Sequence, residues 1–462
     1  MLDMRDFFYE VPISRIEFLV VVVEQAAMSG SVTKMEMMDV TALRPYARNA
    51  RIHSKKQVAR IAASIAEYGF TNPPLIDEDG EIIAGHGRVA AAKQLRLQGI
   101  PVIRLMGLSD VQKRALRLAD NKLALDSAWS VELLAEELKG LITTDFDLSL
   151  TGFDAIEIDN LVTPSLSVAD QDDEVPAPPS DPVTQGGDIW ALGIHRIVCG
   201  DAREVGSYHA VLGAELADAV VADPPFNVPI AGNVSGKGSV KHADFEMASG
   251  EMSRNEFREF LSTGLSLARQ NSRNGSLHYV FSDWRMIGLL TGIGEEVYSK
   301  LLNIIAWIKP NAGLGSHYRS QHELIAVFKN GDAAHINNVQ LGRMGRYRSN
   351  VWQYAGASSF SKTRKRDLAD HPTVKPLMMI ADAIRDATNP GGLVLDPFGG
   401  SGTTLIAAEL IGRRACLIEI EPKFVDVTMR RFQDRTGVEP KLLPEMTPLS
   451  QIRKQREKHK QV

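Results

Sequence analysis

Cysteine is nearly absent from this chain: two residues in 462, Cys199 and Cys416, each inside a strand-like apolar run. That usage excludes a disulfide framework and a cysteine zinc cage, and it predicts reduced core thiols in a cytoplasmic protein. Long apolar runs are missing too. The most hydrophobic stretch near the start, residues 18–23, is far shorter than a bilayer crossing requires, so no membrane partner is expected. Asp3, Asp6, Glu10 and Glu17 precede it and make a poor secretory signal. There is no internal repeat, and no cluster of ligands with the spacing of a metal site. Excess positive charge is also lacking. A formal net charge of −5 argues against a uniformly basic nucleic-acid coat.

Basic residues are present but grouped. Arg44, Arg48, Arg51, Lys55 and Lys56 share residues 44–56 with no acid among them. Arg343, Arg346 and Arg348 form a second group, and Lys362, Arg364, Lys365 and Arg366 a third. A polyanion partner and an ordinary solvated face explain such runs about equally well. Residues 163–186, "TPSLSVADQDDEVPAPPSDPVTQG", are rich in Pro, Ser and Asp without apolar periodicity, which reads as a flexible linker. Met28, Met35, Met37 and Met38 offer alternative starts just before patterned sequence begins. The expected division is therefore a leader or mis-called start at 1–34, a first unit at 35–162, the linker at 163–186, a larger unit at 187–440, and a basic C-terminal tail at 441–462.

The first unit reads as α+β. Ser54 followed by Gln57 predicts a capping box opening a helix whose Val58, Ile61, Ala62 and Ile65 share a face and which Gly69 ends. "PPLIDEDGEIIAGHGR" then predicts a strand, an Asp-Gly hairpin, a second strand and a turn at Gly85-His86-Gly87-Arg88 before another helix. "SIAEYGFTNPPLIDEDG" with "IIAGHGRVAAAKQL" resembles the ParB N-terminal domain family over residues 38–125. The resemblance implies a turn able to hold phosphates on glycine amides and Arg88. A tight turn that simply needs glycine is the plainer alternative. His86 and Gly87 depart from the acid and base common in that family, which weakens any expectation of nucleotide hydrolysis.

The second unit carries the chemistry. "GLVLDPFGGSGTTLIAAELIGRRACLIEIEP", residues 392–422, parses as strand, glycine turn, helix and strand. This is half of a doubly wound α/β unit, with a ligand site where the first strand meets its helix. Glu419 follows Gly399 by 20 residues, the spacing at which a carboxylate accepts ribose hydroxyls. Those features predict an adenosine-containing cofactor. The turn opens Asp396-Pro397-Phe398, and an acid at that place repels a pyrophosphate but suits the ammonium of a methionine moiety. S-adenosyl-L-methionine is the expected cofactor, and a dinucleotide dehydrogenase is the distant alternative.

A second acid tip precedes it. "VVADPPFN" ends an apolar strand in Asp223-Pro224-Pro225-Phe226, and the two prolines have no N–H with which to continue a ladder. A nucleobase amine is a poor nucleophile because its lone pair is delocalised into the ring. Asp223 and the Pro224 carbonyl can accept its two N–H groups, Pro225 keeps the acceptor rigid, and Phe226 can stack on a base flipped from the duplex.

"ADPPFN", "DPFGGSGTT" and "HPTVKP" (371–376) together resemble the DNA amino-methyltransferases, with the motif order of the β class, over most of residues 187–436. The resemblance implies a doubly wound, Rossmann-like methyltransferase sheet, double-stranded DNA as partner and catalysis by Asp223, Pro224, Pro225 and Phe226. It implies adenine N6 as the target, with cytosine N4 as the alternative. Asp201, Thr373, Lys375, Asp396, Phe398, Gly399, Gly400, Ser401, Gly402, Thr403 and Glu419 become candidate cofactor residues, with Ser401 and Thr403 capping the motif helix and Thr373 and Lys375 meeting the cofactor carboxylate. Trp307, Gln321, His322 and Glu323 carry over as positions near the base pocket. Arg44, Arg48, Arg51, Arg88, Arg343, Arg346, Arg348, Lys362 and Arg364 are candidate DNA contacts, with base readout expected from residues 331–370. A reading of another class makes the chain a ParB-like DNA-binding or nucleotide-switch protein with an accessory methyltransferase module. A cognate restriction endonuclease is not readable from the sequence.

Overall fold

A computed structural model of the chain describes residues 34–123, 125–142, 144, 146–162, 175–227, 250–310, 312, 317–339, 348–354 and 375–460. The chain forms two compact units, residues 1–130 with 147–153, and residues 131–146 with 154–462. Residues 1–33, and with them nearly all of the expected leader, lie outside the described residues.

The first unit is built on a four-stranded sheet in the order β1-β4-β2-β3. Its strands are β1 (Lys34–Asp39), β2 (Leu75–Ile76), β3 (Ile82–Ala84) and β4 (Gly99–Arg104). Helices α1 (Lys55–Tyr68), α2 (His86–Gln94) and α3 (Asp110–Leu123) accompany it. Val40, Ile76, Ile82, Val89, Ala92, Ile100 and Val102 make its core. The expected capping box is half made. The Ser54 hydroxyl accepts from the Gln57 amide at 3.1 Å, while the Gln57 side chain turns instead to His53 Nδ1 at 3.1 Å.

The second unit opens with α4 (Val131–Ile142) and α5 (Ala155–Val162). Next come β5 (Ile189–Leu192), β6 (His195–Cys199), α6 (Val205–Leu212), β7 (Ala217–Ala222), α7 (Arg254–Gln270) and β8 (Ser272–Ser282). These are followed by α8 (Ile287–Val297), β9 (Lys300–Ile308), β10 (His322–Lys329), β11 (Val351–Gln353) and α9 (Leu377–Ala387). The chain continues through β12 (Leu393–Asp396), α10 (Thr403–Leu410), β13 (Arg414–Glu419) and α11 (Pro422–Thr436). It finishes with β14 (Lys441–Leu442), β15 (Thr447–Pro448) and α12 (Leu449–Lys460).

The strands form one sheet in the order β11-β9-β10-β8-β7-β12-β13-β6-β5-β14-β15. Its centre, β8-β7-β12-β13-β6, is parallel. Parallel strands need cover on both faces, and their apolar runs supply both. Alternate residues divide cleanly: Val394, Ala415 and Leu417 pack among Met379, Ile384, Leu405, Val425 and Phe432 on one side. Leu393, Leu395, Cys416 and Ile418 meet Tyr208, Phe257, Leu265 and Ile293 on the other. Both cysteines are buried thiols outside any disulfide, and burial pushes Cys416 up to about 12. Among the described residues no helix is long and apolar enough to cross a membrane.

Three expected boundaries are corrected. The first unit does not run to residue 162, because α4 and α5 group with the large sheet. Asp159 on α5 receives Arg385 Nε at 2.6 Å and also pairs with Arg413, a guanidinium with no exposed surface. A buried charge so placed makes its partner hard to remove. The end of the linker is docked rather than free. The Asp426 carboxylate accepts from the Val183 amide at 2.6 Å and the Thr184 amide at 3.1 Å. The C-terminal segment is no loose tail, since Leu449 and Ile452 of α12 enter the core and Arg456 holds Asp188 in a two-pronged pair at 2.5 and 2.9 Å.

Candidate active site

Four adjacent parallel strands, β7, β12, β13 and β6, end at one edge of the sheet. Their tips carry acids: Asp223 just past β7, Asp396 ending β12, Glu419 ending β13, and Asp201 two residues beyond β6. Ligands of open α/β sheets bind outside such carboxyl ends.

At the β7 tip, Asp223 Oδ2 accepts from Lys375 Nζ at 2.6 Å. Its other oxygen, Oδ1, is buried with no hydrogen-bond partner among the described residues. Lys375 lies 3.5 Å from Glu323 Oε2, and Glu323 is paired in turn with Lys309. Two carboxylates and two ammonium groups therefore alternate, brought from the β7 tip, the start of α9, β10 and the end of β9. Burial raises the Asp223 carboxyl above its ordinary range, against the pull of Lys375. Burial also acts to raise Glu323, but the ammonium groups of Lys375 and Lys309 outweigh it and hold that carboxyl low. The Lys375 ammonium sits 5.6 Å from the Phe226 ring centroid and 5.3 Å from that of Phe281. Lys375 was expected to meet a cofactor carboxylate; its charge is instead committed to Asp223.

Asn227 follows directly, at φ 51°. Its side-chain amide donates to Met252 O at 2.7 Å, and its oxygen accepts from Gly250 N at 3.0 Å and Met252 N at 3.3 Å. The residue thus ties the exit of the catalytic motif to the segment leading into α7.

The β12 tip is a second built corner. Asp396 accepts from Phe398 N at 2.9 Å and from the Thr404 hydroxyl at 2.5 Å. Glu419 accepts from Gly400 N at 2.6 Å and Glu421 N at 2.8 Å, so the acid at the end of β13 pins the glycine turn. Burial pushes both Asp396 and Glu419 up to about 7. Buried carboxyls held at that level mark a place suited to a positive ligand. Gly400, at φ +52°, faces open space, its missing side chain meeting only Phe398 O at 3.9 Å.

Other expected cofactor residues do different work. Ser401 and Thr403 do not cap α10, whose N-cap is Gly402 without a side-chain bond. Both hydroxyls instead lie against Arg431 of α11, at 3.3 and 3.4 Å from its Nη1. Gly402 does not border ligand space. A side chain there would meet Thr428 of α11 at 2.5 Å. Phe398 packs its ring on Phe260, centroids 5.9 Å apart. Asp201 is occupied by Arg203, whose Nη2 lies 2.6 Å from its Oδ2. Thr373 lies outside the described residues.

The four base-pocket positions separate. Trp307 is core, 2% exposed, with its ring N–H on Tyr354 O at 3.1 Å. Gln321 donates to Lys309 O at 2.9 Å, and His322 is exposed at the start of β10. Only Glu323 joins the Asp223 network.

Among the DNA candidates, Arg44, Arg48 and Arg51 are exposed on the first unit. Arg88 is half-buried and donates to the carbonyls of Asn72 and Pro73. Arg348 is corrected: it is an internal ion-pair residue, with Asp382 at 2.9 Å and Asp386 at 2.8 Å. Two carboxylates from α9 neutralise it and leave no charge for a phosphate. Arg343, Arg346, Lys362 and Arg364 lie outside the described residues, as does most of the expected readout stretch 331–370.

Sequence reasoning missed Lys309, Asn227 and Arg431. Lys309 reaches the site only because β9 and β10 pair with Trp307 opposite Glu323, a register that no local pattern announces.

A DNA methylase family model matches residues 217–430. A ParB N-terminal domain model matches residues 23–122, starting inside the stretch expected as a leader, and a ParB-methyltransferase HTH domain model matches residues 132–186. The chain is 61% identical over 72 residues to the ParB-like nuclease domain-containing protein YnaK of Escherichia coli (strain K12), covering 16% of this chain and 83% of that one. It is 29% identical over 235 residues to the type II methyltransferase M2.MboI of Moraxella bovis, covering 48% of this chain and 82% of that one. It is likewise 29% identical over 235 residues to M2.DpnII of Streptococcus pneumoniae, covering 47% and 83%. Among the described residues no group of three or more His, Cys, Asp or Glu side chains is placed to hold a metal ion. The chain thus joins an S-adenosylmethionine-dependent DNA methylase unit, matched over residues 217–430, to ParB-like N-terminal sequence.

Proposed function

We propose that the protein methylates the exocyclic N6 of adenine in duplex DNA. The observation that carries this reading is Asp223 Oδ1, a buried acceptor without a donor among the described residues. An unmet buried acceptor costs about 1–3 kcal/mol, a cost that a ligand's N–H removes. The base amine supplies such a donor. Asp223 Oδ1 and the Pro224 carbonyl accept hydrogen bonds from its two N–H groups and return the lone pair to nitrogen. Phe226, partly buried against the core, offers the stacking face for a flipped base. Oδ1 is also placed to take the proton that the amine sheds as its new bond forms.

The residues at the β12 and β13 tips fit the cofactor, which when bound supplies an electrophilic methyl group. Asp396 would meet its positive end and Glu419 its ribose hydroxyls, and the open side of Gly400 would allow close approach. Because both carboxyls are held near 7 in the ligand-free fold, against ordinary values of 3.8 and 4.5, they favour that fold most at low pH and lose this contribution as pH rises through 7. A positive ligand favours their ionised forms and drives protons off. S-adenosylmethionine affinity is therefore expected to rise between about pH 6 and pH 8, by up to about tenfold per unit for each proton released. Titration calorimetry across that range checks it, and a flat profile contradicts the placement.

Adenine is favoured over cytosine by the acid that opens the Asp223 motif, on the resemblance described above. Arg44, Arg48 and Arg51 are the exposed basic group proposed to meet duplex phosphates. The test is product identity. Genomic DNA treated with methyl-labelled S-adenosylmethionine and digested to nucleosides is expected to carry the label in N6-methyldeoxyadenosine. Label in N4-methyldeoxycytidine would replace the target assignment with the alternative.

A further inference from the structure

We infer that Lys375 is a positioning residue for Asp223: its ammonium holds Oδ2 so that Oδ1 faces the base amine as a charged acceptor, and Glu323 with Lys309 holds Lys375 in place. This rests on the methyl-transfer reading above and adds a role that the motif resemblance assigns elsewhere.

The geometry is specific. Lys375 Nζ is 2.6 Å from Asp223 and 3.5 Å from Glu323, with its side chain 8% exposed. The charged groups facing Asp223 are Lys375 from the start of α9, Glu323 from β10, Lys309 from β9 and Asp396 from β12. In that company Lys375 balances two carboxylates that would otherwise confront each other in a water-poor site. Like charges at close range do not both ionise readily. Glu323 keeps a second cation, Lys309. Asp223 is therefore the group that takes a proton when Lys375 is lost. A protonated carboxyl is a weaker acceptor and leaves the amine lone pair delocalised.

The experiment is a set of pH–rate profiles on the full chain with duplex DNA. Lys375→Met is expected to lower kcat at neutral pH by roughly 10²-fold, with the KM for S-adenosylmethionine little changed. Its acid limb should move up by about one pH unit or more, with activity recovering in alkaline buffer. Lys375→Met combined with Glu323→Gln should bring the limb back down, since the repelling charge is gone. Where Lys375→Met does not fold, Glu323→Gln alone should move the limb below that of the unmodified chain.

A slow Lys375→Met enzyme with an unmoved acid limb overturns the inference, as does a raised KM for S-adenosylmethionine with kcat intact. An unmoved limb in Glu323→Gln overturns it equally. If the unmodified chain puts no methyl group on a base amine, the methyl-transfer reading itself fails, which is distinct from an active enzyme whose profile ignores Lys375.

Discussion

Asp223→Ala is expected to reduce methyl transfer by roughly 10³-fold, the scale on which single preorganised polar groups act in closed sites. S-adenosylmethionine binding should persist. The substitution removes Oδ1, a buried side-chain acceptor left open among the described residues, and leaves the Lys375 ammonium, beside Phe226 and Phe281, with Glu323 at 3.5 Å. It touches none of the bonds that shape the glycine turn: Asp396 keeps Phe398 N and Thr404, and Glu419 keeps Gly400 N and Glu421 N. Single-turnover rates measured beside calorimetric cofactor affinity separate the two effects. Equal loss of both would remove Asp223 from the chemistry and make it a structural support of the cofactor corner.

Gly402→Val should do the most damage to the fold of the turn. Its φ of +81° lies in the left-handed region, where a β-branched residue is strained by about 1–2 kcal/mol. Its new Cβ would also lie 2.5 Å from Thr428, on the inner face of α11, and forcing such a contact adds about 1–3 kcal/mol. Thr428 in turn donates to Gly400 O at 3.3 Å, so the displacement passes straight into the turn. Both thermal stability and S-adenosylmethionine affinity should fall together. The comparison is Gly400→Ala, which carries the left-handed strain at φ +52° without a clash, and should lose affinity with a smaller loss of melting temperature than Gly402→Val. A Gly402→Val protein with native melting and native cofactor affinity would place the site elsewhere.

Local chemistry was legible in the sequence; long-range juxtaposition was not. The run 392–422 announces its strand, turn, helix and strand because apolar period and glycine are local signals, and the elements appear at 393–396, 403–410 and 414–419. The Asp-Pro-Pro-Phe tip is legible for the same reason. What Lys375 does is not, because its neighbours come from residues 223, 309 and 323, joined only by sheet pairing. Ser401 and Thr403 look like helix caps by composition. A glycine in the left-handed conformation takes the cap instead, and Arg431, some 30 residues on, claims their hydroxyls. Arg348 shows the opposite error: a basic cluster reads as surface until Asp382 and Asp386, one turn apart on α9, turn out to face it. Asp159 is similar, since nothing near residue 159 reveals that Arg385 and Arg413 will meet it and bind α5 to the large unit.

On the proposed function, one corner of the sheet activates a base amine while its neighbour holds the methyl donor. The most direct measurement follows both halves of the transfer in one tube. Enzyme preloaded with methyl-labelled S-adenosylmethionine is mixed with duplex DNA, quenched through the first turnover and digested. S-adenosylhomocysteine and N6-methyldeoxyadenosine are expected to appear at one rate in equal amounts, and Asp223→Ala, still loaded, is expected to yield neither. Cofactor consumed without a methylated base amine, or label on a ring carbon in place of an exocyclic nitrogen, would contradict it.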